Sequence, residues 1–184
     1  RAGRARRVVC RRGVAASCEV AAAPIPNPVD ARRSAPRPSV NSRPNDLVFL
    51  GRLVTEKGLD LLLEAVAKIG ARLTIVGGGP ERAAMENLTG QLGLAERVHF
   101  AGPKRGPELV ALLQQHKILV VPSRYDEPFG VVALEGIASG CVVVASSGGG
   151  LPEAVVPCGV TFPNGDVPAL AGSPARLPGP PHHC

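Results

Sequence analysis

The chain is 184 residues long, 45% apolar and only 3% aromatic, enough for one domain with a real hydrophobic core. Its formal net charge of +6 is lopsided: residues 1–43 hold ten arginines against Glu19 and Asp30, a balance of +8, which leaves −2 for the other 141 residues. A near-neutral body without aromatic stacking platforms argues against a nucleic-acid partner, and the longest apolar runs, such as ILVV at 118–121, fall far short of the roughly 18 residues a membrane helix needs.

In chain order, the Arg-rich start runs into GVAASCEVAAAP, where Glu19 interrupts the apolar stretch and counts against a signal peptide. Residues 24–45 belong to a stretch from Ala21 with six prolines and no periodicity, and read as a linker ending near Asp46. Short β-rich runs then alternate with helical ones. LVFLG (47–51) precedes a helix over 58–70, RLTIVG (72–77) one over 80–93, and RVHFAG (97–102) one over 106–116. KILVVPS (117–123) precedes a helix over 128–140, CVVVAS (141–146) is followed by LPEAVV (151–156), and CGVTF (158–162) closes the series. In the first helix Leu59, Leu62, Leu63, Val66 and Ile69 follow the i, i+3, i+4 spacing of a buried stripe. About six strands separated by helices predict an α/β fold, a doubly wound, Rossmann-like parallel sheet over residues 46–168. Residues 169–184, rich in proline and without periodicity, read as a disordered tail. Five cysteines (10, 18, 141, 158 and 184), an odd number without C-x-x-C spacing, argue against a disulfide framework or zinc site and fit a reducing cytoplasm.

In such sheets ligands bind at the carboxyl ends of the strands. After the first strand comes GRLVTEKG, whose Gly51 permits close backbone approach and whose Arg52 and Lys57 can grip a diphosphate, or else form a solvated turn. VGGGPERAAM, after the second strand, places Arg82 at the third glycine position of G-x-G-x-x-G. It is a broken dinucleotide fingerprint and reads first as a tight turn. RYDEPFGVVALEG, after the fourth strand, holds two carboxylates eight residues apart. Pro128 at a first helical position puts Glu127 near the N-cap and lets Phe129, Gly130 and Val131 begin the first turn, where free amides and the helix dipole attract anions. Glu135 then projects from a neighbouring face about 12 Å further along. The two acids can hold hydroxyls at opposite ends of an elongated ligand; a simple cap for Glu127 and a structural ion pair for Glu135 are the alternatives. Ser123 lacks the G-x-S-x-G context of a nucleophile, and His99 and His116 have no evident acidic partner.

This combination resembles the nucleotide-sugar-binding domain of the GT-B glycosyltransferases of family 4. EPFGVVALE fits their pair of glutamates separated by seven residues, and GRLVTEKG, PSRYDEPFG, GCVVVASSGGGLPE and IPNPVD look like the surrounding motifs, over residues 24–167. The resemblance implies retaining transfer from a nucleotide-diphosphate sugar, such as a UDP- or GDP-sugar, to an unidentified acceptor. Glu127 would bind the hexose, Glu135 the ribose, and Arg52 and Lys57 the diphosphate, with the amides of Phe129 and Gly130 on sugar and phosphate. Glu127, Arg52 and Lys57 would carry the catalysis; no Asp-x-Asp pair is present, so the two cations would replace a metal, and no cofactor is implied. The acceptor domain is expected to be missing apart from a remnant in residues 1–23, together with any peripheral membrane contact it would make, leaving a chain that binds donor but transfers poorly. A non-catalytic nucleotide-sugar-binding subunit, a GT-B-like epimerase or phosphorylase, and an unrelated Rossmann oxidoreductase are the competing readings.

Overall fold

A computed structural model describes residues 40–156 and 158–174. A short turn at Val40–Ser42 leads into β1 (Asn45–Leu50), followed by α1 (Leu59–Ile69), β2 (Leu73–Val76), α2 (Arg82–Gln91), β3 (Val98–Gly102) and α3 (Gly106–Leu113). The second half comprises β4 (His116–Val121), α4 (Val131–Ala138), β5 (Val142–Ser146), α5 (Leu151–Val155), β6 (Gly159–Phe162) and α6 (Val167–Gly172). All six strands are parallel, in the order β3-β2-β1-β4-β5-β6. The expected doubly wound, Rossmann-like sheet is therefore present. The strand order reverses between β1 and β4, which opens a crevice there at the carboxyl ends of the strands.

The continuous apolar runs divide between two cores because successive side chains point to opposite faces. Leu47 and Phe49 of β1, Val120 of β4 and Val144 of β5 join one core with α1, Met85 of α2 and Val167 and Leu170 of α6. Val48, Leu119, Val121, Val143 and Ala145 join the other with Leu113 of α3, Ala133 of α4 and Leu151, Ala154 and Val155 of α5. Each buried Val, Leu, Phe or Met side chain among them contributes about 1.5–3 kcal/mol relative to exposure. On α1 the stripe holds at Leu59, Leu62, Leu63 and Val66, while Leu61 and Ala65 are also buried and Ile69, at the helix end, is exposed. The buried face is wider than the spacing predicts because α1 is covered by α6 as well as by the sheet.

The domain extends past residue 168 at its carboxyl end. Asp166 caps α6 by accepting from the Ala169 N–H at 2.8 Å, and Val167 and Leu170 are buried, so the expected tail begins inside a helix. At the other end Arg43, assigned to the linker, is buried: it donates to the carbonyls of His116 (2.8 Å) and Ser139 (3.3 Å). The expected remnant, most of the linker, and residues 175–184 lie outside the described residues. Cys141 is a free, buried thiol that donates to the Leu113 carbonyl at 3.2 Å; burial pushes its pKa up to about 11. Cys158 is disulfide-bonded, a pairing the odd, scattered cysteines did not suggest. No helix among the described residues is long and apolar enough to cross a membrane.

Candidate functional site

The loop after β1 and the loop after β4 meet over the crevice. Gly58, left-handed at φ 65°, lies so close to the Pro122 carbonyl that a Cβ would fall 2.0 Å from its oxygen. The Arg124 N–H donates to the Glu56 carbonyl at 2.8 Å, and the Arg124 guanidinium pairs with Asp60 of α1. The loop after β2 buttresses this arrangement: Leu53 N–H donates to Gly78 O (3.0 Å), Glu81 N–H donates to Leu53 O (3.2 Å), and Thr55 bonds Glu81. That is the tight-turn role expected for the broken glycine motif.

This docking carries Lys57 to Glu127, seventy residues away. The Lys57 Nζ donates to Glu127 Oε1 at 2.6 Å and to the Tyr125 hydroxyl at 3.0 Å. Ser123 Oγ donates to the same Oε1 at 2.6 Å, and the Tyr125 hydroxyl donates to Oε2 at 2.7 Å. Glu127 is only 8% exposed. Burial by itself would raise its pKa, but the hydrogen bonds from Lys57, Ser123 and Tyr125 and the lysine charge outweigh it and hold the carboxyl below its ordinary value. Burial likewise opposes the charge on Lys57, and the bonds to Glu127 and Tyr125 reverse the balance and raise it. Both groups are firmly ionised at neutral pH.

Glu127 is not the helix cap that proline placement suggested. Helix α4 begins at Val131, and its N-cap is Gly130 in a left-handed conformation (φ 70°), which non-glycine residues adopt only with strain. The chain turns between Pro128 and Gly130, so Glu127 sits off the helix and the helical angle from Glu127 to Glu135 does not apply. Leu134 N–H is the first to bond within the helix, to Gly130 O at 3.2 Å, which leaves the amides of Val131, Val132 and Ala133 at the open end and moves Phe129 outside it. Glu127 is instead fixed by its backbone: its carbonyl accepts from Gly150 N–H at 2.7 Å, and a Cβ on Gly149 (φ 62°) would fall 2.4 Å from the same oxygen.

Glu135 lies one turn beyond Val131 on the same face of α4, half-buried, and forms no ion pair or hydrogen bond with its side chain among the described residues. Burial alone acts on it, and its pKa is raised. Among the described residues no structural ion pair forms at Glu135; for Glu127 the ion pair is real, and its partner is Lys57. Gly51 follows β1, and Arg52 is exposed beside it, paired to none of the described residues. Sequence reasoning missed Tyr125 and the part played by Ser123. Both stand in PSRYDE, two and four residues before Glu127, a spacing that puts their hydroxyls within reach of its carboxylate once the loop folds back.

A family model described as glycosyl transferases group 1 matches residues 31–176. The chain belongs to that family. Among curated relatives, this glycosyl transferase chain is 45% identical over 121 residues to the D-inositol 3-phosphate glycosyltransferase of Corynebacterium diphtheriae, covering 60% of this chain and 28% of the relative. It is 43% identical over 113 residues to an uncharacterized glycosyltransferase of Methanocaldococcus jannaschii, covering 59% and 29%. Among solved structures, the sucrose-phosphate synthase of Thermosynechococcus elongatus superposes with a TM-score of 0.74 at 32% identity, covering 84% of this chain and 43% of that one. Anabaena HepE, solved in complex with UDP, superposes with a TM-score of 0.73 at 25% identity, covering 82% and 46%. The chain thus spans less than a third of these curated relatives and under half of these solved chains, as one Rossmann-like lobe of a GT-B glycosyltransferase does.

Proposed function

We propose that this chain binds a nucleotide-diphosphate sugar across the β1/β4 crevice and supplies the donor half of a retaining glycosyl transfer. The observation that carries the reading is Glu135. A half-buried carboxylate with no partner among the described residues, one turn inside a helix whose free amides open on the same crevice as Lys57, is costly to the fold unless a ligand's hydroxyls complete it. In this reading the ribose hydroxyls donate to Glu135. The diphosphate is held by Arg52, Lys57 and the amides at the start of α4, with Gly130 and Phe129 beside it, and the hexose hydroxyls donate to Glu127. As the bond from sugar to phosphate breaks, negative charge grows on the leaving diphosphate. Fixed cations and amide dipoles stabilise that charge more than the ground state, so these same contacts lower the barrier without a metal. Anabaena HepE, which shares the fold, is solved with UDP-glucose, and that supports a nucleotide-sugar donor here.

The test is calorimetric titration of the chain with UDP, GDP and their sugars. One of these should bind, and Glu135→Ala and Arg52→Ala should each weaken it about tenfold, the scale of one charge-assisted contact. Binding indifferent to both substitutions would overturn the assignment. Retention is read separately, from the anomeric coupling of the product once an acceptor is found, and metal independence from transfer that survives a chelator.

A further inference from the structure

The cation proposed for the diphosphate and the carboxylate proposed for the hexose are each other's partner in the structure. Glu127 Oε1 already accepts from Lys57 and Ser123, both at 2.6 Å, and Oε2 accepts from Tyr125 at 2.7 Å. A carboxylate offers about four acceptor positions, so one is open while the pair is intact. The Lys57 ammonium has three donors, and two are spent on Glu127 and Tyr125. A diphosphate that draws Lys57 toward itself must take it from a glutamate that is only 8% exposed, leaving that carboxylate with two neutral hydroxyl donors and no cation. Removing one member of a buried ion pair is costly because the other stays charged and desolvated. A ligand with hydroxyl donors beside its diphosphate supplies replacements at Oε1; a ligand that ends in phosphate does not.

We infer that the Lys57–Glu127 ion pair couples recognition of the two halves of the donor, so that the site discriminates against a nucleoside diphosphate lacking its sugar. Tyr125, bonded to both members, keeps a proton on the carboxylate side of the exchange and holds Glu127 in place while Lys57 moves. The consequence for turnover is direct. Once the sugar has been transferred, Glu127 loses its hydroxyl donors and reclaims Lys57, which loosens the hold on the diphosphate product and favours its release. This rests on the donor reading above but requires more than it: that reading asks only that the diphosphate and sugar be bound, and it is silent on whether the two contacts compete when the sugar is absent.

The experiment measures dissociation constants for UDP, GDP and their glucose and mannose esters on the whole chain. Glu127→Gln should bind the preferred diphosphate about fivefold more tightly than the parent, the factor expected of releasing a pair whose lysine is partly exposed, and its sugar ester more weakly. Removing a negative charge would favour any anion, so two further variants separate coupling from bulk electrostatics. Glu127→Asp keeps the charge but withdraws it from Lys57, and should also bind the diphosphate more tightly. In a Lys57→Met background, Glu127→Gln should leave diphosphate affinity unchanged, whereas a general charge effect persists there. Tighter diphosphate binding that vanishes with Lys57 supports the coupling. If wild type binds a diphosphate and Arg52→Ala weakens it, yet neither Glu127 variant tightens it, or the gain survives in the Lys57→Met background, the coupling is wrong and the donor reading stands. If no nucleotide or nucleotide sugar binds wild type, both fall together. Should Glu127→Gln fail to fold, as judged by circular dichroism, the Glu127→Asp and Lys57→Met comparison decides alone.

Discussion

Apart from the partly exposed Asp46–Lys117 ion pair at the amino-terminal edge, the two edges of the sheet treat their polar groups in opposite ways. At the amino-terminal edge, Arg43 donates to the His116 and Ser139 carbonyls, and the two nitrogens of His116 are engaged by the Leu112 carbonyl and the Thr74 hydroxyl, each at 2.8 Å. Those partners are largely backbone, fixed by the fold, and nothing that arrives from solvent can exchange for them. At the carboxyl-terminal edge, Lys57, Glu127 and Tyr125 satisfy one another through side chains, and Glu135 is satisfied by nothing among the described residues. Polar groups bonded to backbone build the domain; polar groups bonded to each other, or left open, can hand their bonds to a ligand. In this family member that contrast separates structure from site more sharply than residue type does, since arginine and a titrating side chain occur at both edges.

The contrast is easiest to break at Arg43. Arg43→Ala should cost about 3 kcal/mol of stability, because it withdraws the guanidinium donors from two buried carbonyls and removes a packed side chain, while the nucleotide affinity of the folded fraction stays the same; chemical denaturation with parallel calorimetry checks both. Gly149→Ala should cost about 2 kcal/mol through its left-handed backbone and the clash with the Glu127 carbonyl, and, unlike Arg43→Ala, it should also weaken sugar-nucleotide binding by displacing Glu127. Acidification probes the amino-terminal edge next. Burial, with the charge of Arg43, depresses the pKa of His116 against the opposing pull of the Leu112 carbonyl. Its contribution to stability is therefore complete above the unfolded value near 6.5 and is lost as pH falls below that toward the folded value. Melting temperatures from pH 7.5 to 5 should fall less in His116→Gln than in the parent. The smallest effect has the opposite sign. Glu135→Gln removes a half-buried charge and should stabilise the chain at neutral pH by roughly 0.5 kcal/mol while weakening nucleotide binding, the exchange expected where a site is maintained at the expense of the fold.

The strands and their order of appearance could be read from the sequence because each apolar run is short, continuous and bounded by turn residues, as a sheet covered on both faces requires. The parallel pairing follows from the alternation with helices, whereas the reversal between β1 and β4, which locates the crevice, is a tertiary fact with no local mark. Lys57 and Glu127 were each legible as site candidates by type and by the loops they occupy; their mutual bond was not, because it depends on Gly58 packing against Pro122 and carrying one loop onto another. The misplaced helix start has a narrower cause. Pro128 satisfies the usual rule for a first helical residue, but Gly130 takes a left-handed conformation that interrupts the helix before it begins, and a glycine's φ cannot be inferred from its neighbours. Arg43 and α6 were missed for the same reason at the two ends: proline-rich surroundings mask single residues that are held by long-range contacts.

Cys141 offers a use for the closed edge. A thiol 2% exposed, with its pKa near 11, carries almost no thiolate at neutral pH and cannot meet an alkylating reagent in the folded chain. Its rate of modification, followed on its own peptide by mass spectrometry, is therefore a clock for the opening of the β4–β5 region, and a nucleotide that seals the opposite edge should slow that clock without touching the sulfur.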